Sequence, residues 1–105
     1  MKIEQHTLQI GLFDKDTKQQ EIPTATATNI IQKQAENFGM KGLTWFGGGG
    51  MYTHDDGKIV FEPNITIIIY GETIKSIKPF AESLKNTFNQ EVIYISTQEI
   101  TSVAV

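Results

Sequence analysis

The chain contains no cysteine, which excludes disulfide bonds, thiolate metal sites and cysteine nucleophiles together. It also contains no arginine, and twelve acidic residues outnumber the nine lysines, which gives a formal net charge of −3. Proteins that bind nucleic acid usually carry a basic surplus and use arginine to contact phosphates and base edges. We therefore expect no nucleic-acid partner.

Long apolar runs are missing too. None approaches the roughly 20 residues of a membrane-spanning helix, and the first six residues lack the apolar middle of a signal peptide. We expect a cytoplasmic protein with no membrane partner. With 105 residues, 39% of them hydrophobic and 20% charged, the chain fits one α+β domain over residues 1–105 rather than a disordered segment.

Apolar periodicity predicts the first strand and the first helix. Residues 7–13 alternate between apolar and polar, which is typical of a half-buried strand. A helix with one apolar stripe follows Pro23, and Thr24 or Thr26 can cap its free N–H groups. Gly39 lies where a helix ends in the left-handed conformation.

A second apolar stripe at helical spacing predicts another helix later in the chain. If Ser76 caps this helix, Pro79 falls in the first turn, where its missing N–H costs little. Alternatively, the helix begins at Thr73 and kinks at the proline. Residues 91–96 predict the last strand, with Ile93 and Ile95 on one face and Val92 and Tyr94 on the other. Residues 100–105 are extended enough in character to pair along an edge.

Between the two helices, residues 43–70 predict a long β-hairpin. Asp55-Asp56-Gly57 is a strong signal for a tight turn. Folding the chain about this turn pairs His54 with Lys58, Tyr52 with Val60, the glycine run 47–50 with residues 62–64, and Thr44 with Ile68. Because glycine and proline inside strands usually mark bulges or bends, we predict a kinked hairpin whose outer half projects as a two-stranded ribbon.

The predicted order is strand, helix, strand, strand, helix, strand. It contains two crossovers through a helix with a hairpin between them. Right-handed crossovers leave few arrangements of such a chain. We therefore predict an α+β fold of the ferredoxin-like split βαβ type, in which a four-stranded antiparallel sheet carries both helices on one face.

Short motifs over most of the chain carry a family resemblance. They are Gly11-Leu12, Gly42-Leu43-Thr44, Gly47 to Gly50 with Tyr52, Glu62, Ile65 to Tyr70, and Gln90-Glu91-Val92. In these motifs the chain resembles a family of small uncharacterised bacterial proteins, a domain of unknown function with a ferredoxin-like βαββαβ pattern. The resemblance supports the fold and implies no activity.

The run Gly47 to Gly50 has two interpretations. It can let the ribbon bend or let another backbone lie close, or its exposed N–H groups can hold an anionic ligand. A phosphate-binding loop is not predicted, because no Lys-Ser/Thr pair and no helix follow. Four glycines exceed what one bulge needs, so we retain a ligand site. Its candidate residues are Trp45, Tyr52 and Phe61 for stacking on a ring, Gly48, Gly49 and Gly50 for N–H donors, and Lys58 for offsetting negative charge.

The hairpin tip holds a second cluster, His54, Asp55 and Asp56. A divalent metal needs three or four ligands in fixed geometry, whereas the turn propensity of aspartate already explains both carboxylates. We therefore predict neither a metal site nor a cofactor. The chain has no Gly-x-Ser-x-Gly motif, and we predict no catalytic residue.

Aromatic residues concentrate on the hairpin. Adjacent strand residues point to opposite faces, so Trp45 and Phe46 cannot both enter the core. The register puts Phe46, Ile68 and Tyr70 on the face away from the helices. Either the C-terminal residues cover this face or it is an interface between copies, because exposed apolar patches commonly mark interfaces. We favour a homodimer or a larger oligomer.

These features leave three classes of function. We favour a non-catalytic oligomeric protein that binds or sequesters a small molecule, for example a nucleotide signal, of the kind that a phage or mobile element encodes. The alternative is a protein-binding inhibitor or adaptor of the anti-defence type, whose projecting hairpin inserts into a partner or extends its sheet. A small enzyme is the third class.

Overall fold

The computed structural model describes residues 1–53 and 55–105. The elements are β1 (Lys2–Gly11), α1 (Thr24–Asn37), β2 (Thr44–Thr53), β3 (Ile59–Tyr70), α2 (Ile74–Thr87) and β4 (Ile95–Thr101). They form one four-stranded sheet in the order β2-β3-β1-β4, and all neighbouring strands are antiparallel. This arrangement confirms the predicted α+β ferredoxin-like fold.

The core lies between one face of the sheet and the two helices. Period-two alternation in β1 and β3 and helical spacing in α1 and α2 direct one apolar set inward. The buried apolar side chains are Leu8, Ile10, Leu12, Ala27, Ile31, Ala35, Ile65, Ile67, Ile69, Ile77, Phe80, Ala81, Leu84 and Phe88. In the described part of the chain, no helix therefore covers the opposite face of the sheet.

Both helix starts differ from the caps favoured above. Thr73 caps α2, because its Oγ1 accepts a hydrogen bond from the Ser76 N–H at 3.2 Å. The helix therefore begins before Ser76, as in the alternative, and Pro79 lies inside it. Neither threonine caps α1, which follows Pro23 and has no side-chain cap. The predicted end is confirmed, since Gly39 has a φ of 71°.

The hairpin has the predicted register. Tyr52 pairs with Val60 and Thr44 with Ile68, and the glycine run lies opposite residues 62–64 without an extra residue on either strand. Strand β1 pairs with β3 only over residues 64–70, so the outer half of the hairpin projects beyond the sheet as a ribbon. The predicted pairing of His54 lies outside the described residues.

Strand β1 begins at Lys2 rather than at residue 7. Its additional length includes His6, which is fully buried on the helix side. The His6 Nε2 lies 2.6 Å from the Glu72 carbonyl oxygen, and Nδ1 lies 2.8 Å from Thr97 Oγ1. A carbonyl oxygen only accepts, so Nε2 carries a proton and donates it to the Glu72 carbonyl.

The longer first strand also explains the error in the last one. β4 covers Ile95–Thr101 instead of residues 91–96, and it pairs from Leu8 with Ile95 to Lys2 with Thr101. Residues 91–94 connect α2 to the sheet edge, although they alternate like a strand. The predicted edge pairing of residues 100–105 therefore holds for Ile100 and Thr101, and Ser102 extends it through its hydrogen bonds with Met1.

Candidate functional site

The open face of the sheet carries the apolar residues predicted for it. Phe46 is 51% exposed and Tyr70 49% exposed, and Ile68 lies between them in partial exposure. The C-terminal residues do not cover this face. The Ser102 N–H donates to the Met1 carbonyl beside β1, and Val103 is itself 76% exposed.

A polar cleft of about 1120 Å³ opens at one end of this face. Its walls are the end of β1 with the loop of residues 13–18, the hairpin ribbon, and residues 90–94 before β4. The charged side chains that line it are Asp14, Asp55, Asp56, Glu62 and Glu91 with Lys15, Lys18 and Lys58. Carboxylates therefore outnumber ammonium groups, and the cleft is weakly acidic.

Glu62 is a half-buried carboxylate of the cleft. The last residue of β1, Gly11, pairs with Asn64, so Glu62 lies just beyond the point where β1 leaves the sheet. There its Oε2 accepts a hydrogen bond from the Phe13 N–H at 2.9 Å. The Glu62 side chain thus provides an acceptor for a backbone N–H just beyond the last β1–β3 pair. The same hydrogen bond holds Oε2, one of the two carboxylate oxygens, in place.

Sequence reasoning did not select Glu62 as a site residue. It belonged only to the family resemblance. The available signal was a charged residue beside Pro63 within a strand whose other residues are uncharged. An acidic residue there, opposite Gly50 in the register, costs strand stability unless it has a partner or a function.

The loop after β1 is held by Asp14. Its Oδ1 accepts hydrogen bonds from the N–H groups of Asp16 at 2.8 Å and Thr17 at 3.1 Å, and from Asn89 Nδ2 at 2.9 Å. The backbone hydrogen bonds, first that of Asp16, hold the pKa of the Asp14 carboxyl below its usual range because they stabilise the charged form. This contact orders the loop that carries Lys15 and Lys18 into the cleft.

We expect the pH dependence of stability to report this loop. The folded-state pKa of Asp14 lies below the ordinary value of 3.8, so the ionised carboxylate stabilises the fold above that pH. This contribution disappears as the pH falls through the folded-state pKa. The stability difference between the wild type and Asp14→Ala should therefore shrink below pH 3.8 in urea unfolding. A difference that grows with acid would contradict this assignment, and Asp14→Asn provides the uncharged control.

The hairpin tip is a turn stabilised by its own residues. Asp56 Oδ1 accepts a hydrogen bond from the Lys58 N–H at 2.9 Å, and Gly57 has a φ of 84°, which favours glycine. Within residues 1–53 and 55–105, no three histidine, aspartate or glutamate side chains converge in a way that could hold a metal ion. His54, the third member of the predicted cluster, lies outside the described residues.

The predicted ligand-binding residues separate into two groups. Tyr52 and Lys58 line the polar cleft. Phe61 and the glycines 48–50 line a shallow concavity of about 570 Å³ around Met51 and Pro63. Trp45 lines neither of these two surfaces.

The separation follows from strand alternation. In the paired strands, Tyr52 faces the same side as Phe46, whereas Phe61 and Met51 face the helix side. One ligand in the cleft therefore cannot contact the side chains of both groups on the same ribbon.

The glycine run is regular strand. None of residues 47–50 has a positive φ, so their backbone conformation does not require glycine. The side chain of Asn64 lies over two of them: a Cβ would lie 3.4 Å from its Oδ1 at Gly48 and 3.1 Å from its Nδ2 at Gly50. A Cβ at Gly47 would meet nothing within 4 Å.

None of the helices in the described part of the chain is long and apolar enough to cross a membrane. No protein-family model matches the sequence, and no curated protein matches it.

Solved structures do match the fold. A phage SAM (S-adenosylmethionine) lyase in complex with S-methyl-5'-thioadenosine has a TM-score of 0.68 at 21% identity, over 92% of this chain and 81% of that one. The B. subtilis GlnK–ATP complex has a TM-score of 0.61 at 11% identity, over 94% and 82% of the two chains. CPII, a nitrogen regulatory PII-like protein from Thiomonas intermedia K12 bound to ADP, AMP and bicarbonate, has a TM-score of 0.55 at 14% identity, over 99% and 98%.

The chain shares a ferredoxin-type fold with the PII-like proteins. Its similarity to the three structures named above is one of fold, with TM-scores of 0.55 to 0.68 at identities between 11% and 21%. Sequence identities this low show a shared fold and nothing more. The chemistry of the site must therefore be argued from the residues of this chain.

Proposed function

We propose that the protein binds an adenosine-containing small molecule in the polar cleft. One observation carries the proposal: the three similar structures named above hold S-methyl-5'-thioadenosine, ATP, and ADP with AMP. These ligands differ in charge and in phosphate number, but each contains adenosine. The sequence led us to expect a small ligand such as a nucleotide signal. Adenosine derivatives are a narrower class of ligand that agrees with this expectation.

The cleft offers groups that suit a nucleoside. Tyr52 and Tyr94 are exposed aromatic side chains in its wall. Aromatic rings can stack on the face of any nucleobase. Glu62 supplies a carboxylate that accepts hydrogen bonds from hydroxyl or amino groups. The tyrosines and the carboxylate therefore recognise two different parts of one nucleoside.

The charge of the cleft favours a ligand without a polyphosphate. Five carboxylates and three lysines line it, and the chain contains no arginine for bidentate phosphate contacts. The excess of carboxylates would repel a triphosphate, but it would not repel a neutral or positively charged adenosine derivative. We infer that S-methyl-5'-thioadenosine and SAM fit the cleft better than ATP.

A second candidate is a lyase that acts on SAM. The phage SAM lyase has a higher TM-score and identity than the other two structures, and the positive sulfonium of SAM suits a weakly acidic cleft. The bond from the sulfonium sulfur to the amino-acid carbon breaks and its electron pair stays on sulfur, while a carboxylate oxygen of the substrate itself forms a new bond to that carbon and closes a lactone. The nucleoside product is then the neutral thioether S-methyl-5'-thioadenosine.

Calorimetry with the purified wild type should separate these possibilities. We expect S-methyl-5'-thioadenosine and SAM to bind more tightly than ATP, and Tyr52→Ala to weaken both interactions. Chromatography of a SAM incubation then distinguishes a binder, which leaves SAM intact, from a lyase, which releases S-methyl-5'-thioadenosine. Tighter binding of ATP would contradict the charge argument. No binding of any of the three would leave the protein-binding hairpin as the better proposal.

We also propose that the protein associates with itself through Phe46, Ile68 and Tyr70. These residues form an apolar patch on the face that neither the helices nor the C-terminal residues cover. The glycine run belongs to β2, which is an edge strand, and alternate N–H groups of an edge strand point away from the sheet. Alternate N–H groups of the run Gly48 to Gly50 can therefore bind a ligand at this edge, whereas Phe61 faces the helix side of the ribbon, away from the patch.

A further inference from the structure

Gly11 leaves space that another side chain occupies. A Cβ at this position would lie 2.6 Å from Glu62 Oε1, 2.7 Å from Cδ and 2.7 Å from Oε2. Side-chain carbons are not found at such distances, so the Glu62 carboxylate lies where a side chain of residue 11 would begin. Gly11 has no positive φ. The requirement for glycine is therefore one of space and not of backbone conformation.

Two hydrogen bonds also hold the residues that follow Gly11 against residues 62 and 63. The Leu12 N–H donates to the Pro63 carbonyl at 3.0 Å, and the Phe13 N–H donates to Glu62 Oε2 at 2.9 Å. The chain after β1 is thereby tied to residues 62 and 63 by consecutive donors. Within residues 1–53 and 55–105, no group donates a hydrogen bond to Glu62 Oε1. One carboxylate oxygen is thus held, and the other remains available.

We propose that Gly11 is a positioning residue for ligand recognition. The missing side chain lets the Glu62 carboxylate lie against β1 with Oε2 on the Phe13 N–H. Oε1 then accepts a hydrogen bond from a hydroxyl or ammonium group of the ligand. This inference rests on the proposed function, because it takes the cleft lined by Gly11, Phe13 and Glu62 as the ligand site.

Gly11→Ala should separate binding from stability. The new methyl group would displace the carboxylate, but the displaced atoms are the far end of a flexible side chain and can move without a backbone shift. The variant should therefore fold, with a Tm lowered only by the loss of the hydrogen bond from the Phe13 N–H, as in Glu62→Ala. Its affinity for S-methyl-5'-thioadenosine should fall about ten- to a hundred-fold, the range expected when a hydrogen bond to a charged group is lost.

Gly47→Ala is the matched control. It introduces the same methyl group into a strand of the same sheet, where the new Cβ meets nothing within 4 Å. Its affinity for S-methyl-5'-thioadenosine should equal that of the wild type. Glu62→Ala should weaken binding, and Gly11→Ala should cause no further loss in that background because it acts through the carboxylate. Independent, multiplicative losses would overturn the proposal.

The amide resonance of Phe13 provides a readout that needs no ligand. In Glu62→Ala this amide loses its acceptor, so its proton signal should move upfield and exchange faster with water. Gly11→Ala should produce the same change, and Gly47→Ala should not. An unchanged Phe13 amide in Gly11→Ala would show that the carboxylate has not moved, and would overturn the proposal.

The two readouts also separate the inference from the function on which it rests. A shifted amide with unchanged affinity would refute the role of Gly11 in recognition while leaving the ligand site intact. A wild type that binds none of the adenosine derivatives would refute the proposed function and the recognition role together. The amide would then still decide whether Gly11 positions the carboxylate.

Discussion

Ile68→Lys should convert the assembled protein to monomers at micromolar concentration. Ile68 lies in β3, between Thr7 of β1 and Thr44 of β2, and its side chain is on the uncovered face of the sheet. If this face packs against a second copy, the substitution places an ammonium group in a dry apolar contact, which is costly without a partner charge. In an isolated subunit the lysine can extend its charged end into water, so the fold survives.

Light scattering with a matched variant measures this effect. Ile59→Lys makes the same change in the same strand, but in the ribbon and on the other face, where Ile59 is 52% exposed. The wild type and Ile59→Lys should have the same mass in solution, and Ile68→Lys should have the mass of one chain. A monomeric wild type would refute the proposed association. Dissociation by Ile59→Lys alone would instead place the contact on the ribbon.

The sequence predicted the hairpin accurately because the signals there are local. A turn of the Asp-Asp-Gly type fixes the register of its two arms, and period two then fixes which residues share a face. The pairs from Tyr52–Val60 to Thr44–Ile68 and the exposed position of Phe46 follow from these two facts. No information from distant parts of the chain was needed.

The last strand was placed four residues too early because its position depends on a distant partner. Residues 91–96 and 95–101 both have extended character, and local alternation cannot choose between them. The choice follows from β1, whose first residue, Lys2, pairs with Thr101. The true start of β1 was not evident, since polar residues and the buried His6 interrupt its apolar pattern.

The contact between Gly11 and Glu62 was beyond sequence reasoning for the same reason. The two residues are far apart in the chain, and they meet only because β3 pairs with β1. Gly11 had been noted as part of a family motif, without a physical role. The structure shows why this position is glycine: the carboxylate of Glu62 lies in the space that a side chain at residue 11 would fill.

Phe80→Ala should lower the free energy of unfolding by about 3–5 kcal/mol, the usual cost of truncating a buried aromatic residue. Phe80 is fully buried in α2, and its ring centroid lies 6.0 Å from that of Phe38 at the end of α1. The substitution removes apolar burial and leaves a cavity between the helices and the sheet. The loss is a large fraction of the roughly 5–15 kcal/mol by which a domain is stable.

Phe38→Ala is the control for this effect, because it removes the other ring of the same pair. Phe38 is 41% exposed, so less apolar surface returns to water and the cost should be about 1–2 kcal/mol. Urea unfolding should be measured in the wild type and in the Ile68→Lys background, since self-association adds to apparent stability. Equal costs for the two phenylalanines would contradict the assignment of Phe80 to the core. Gly11→Ala in the same assay should cost only the hydrogen bond from the Phe13 N–H, about 1 kcal/mol. This small cost separates a residue that positions the site from one that holds the fold together.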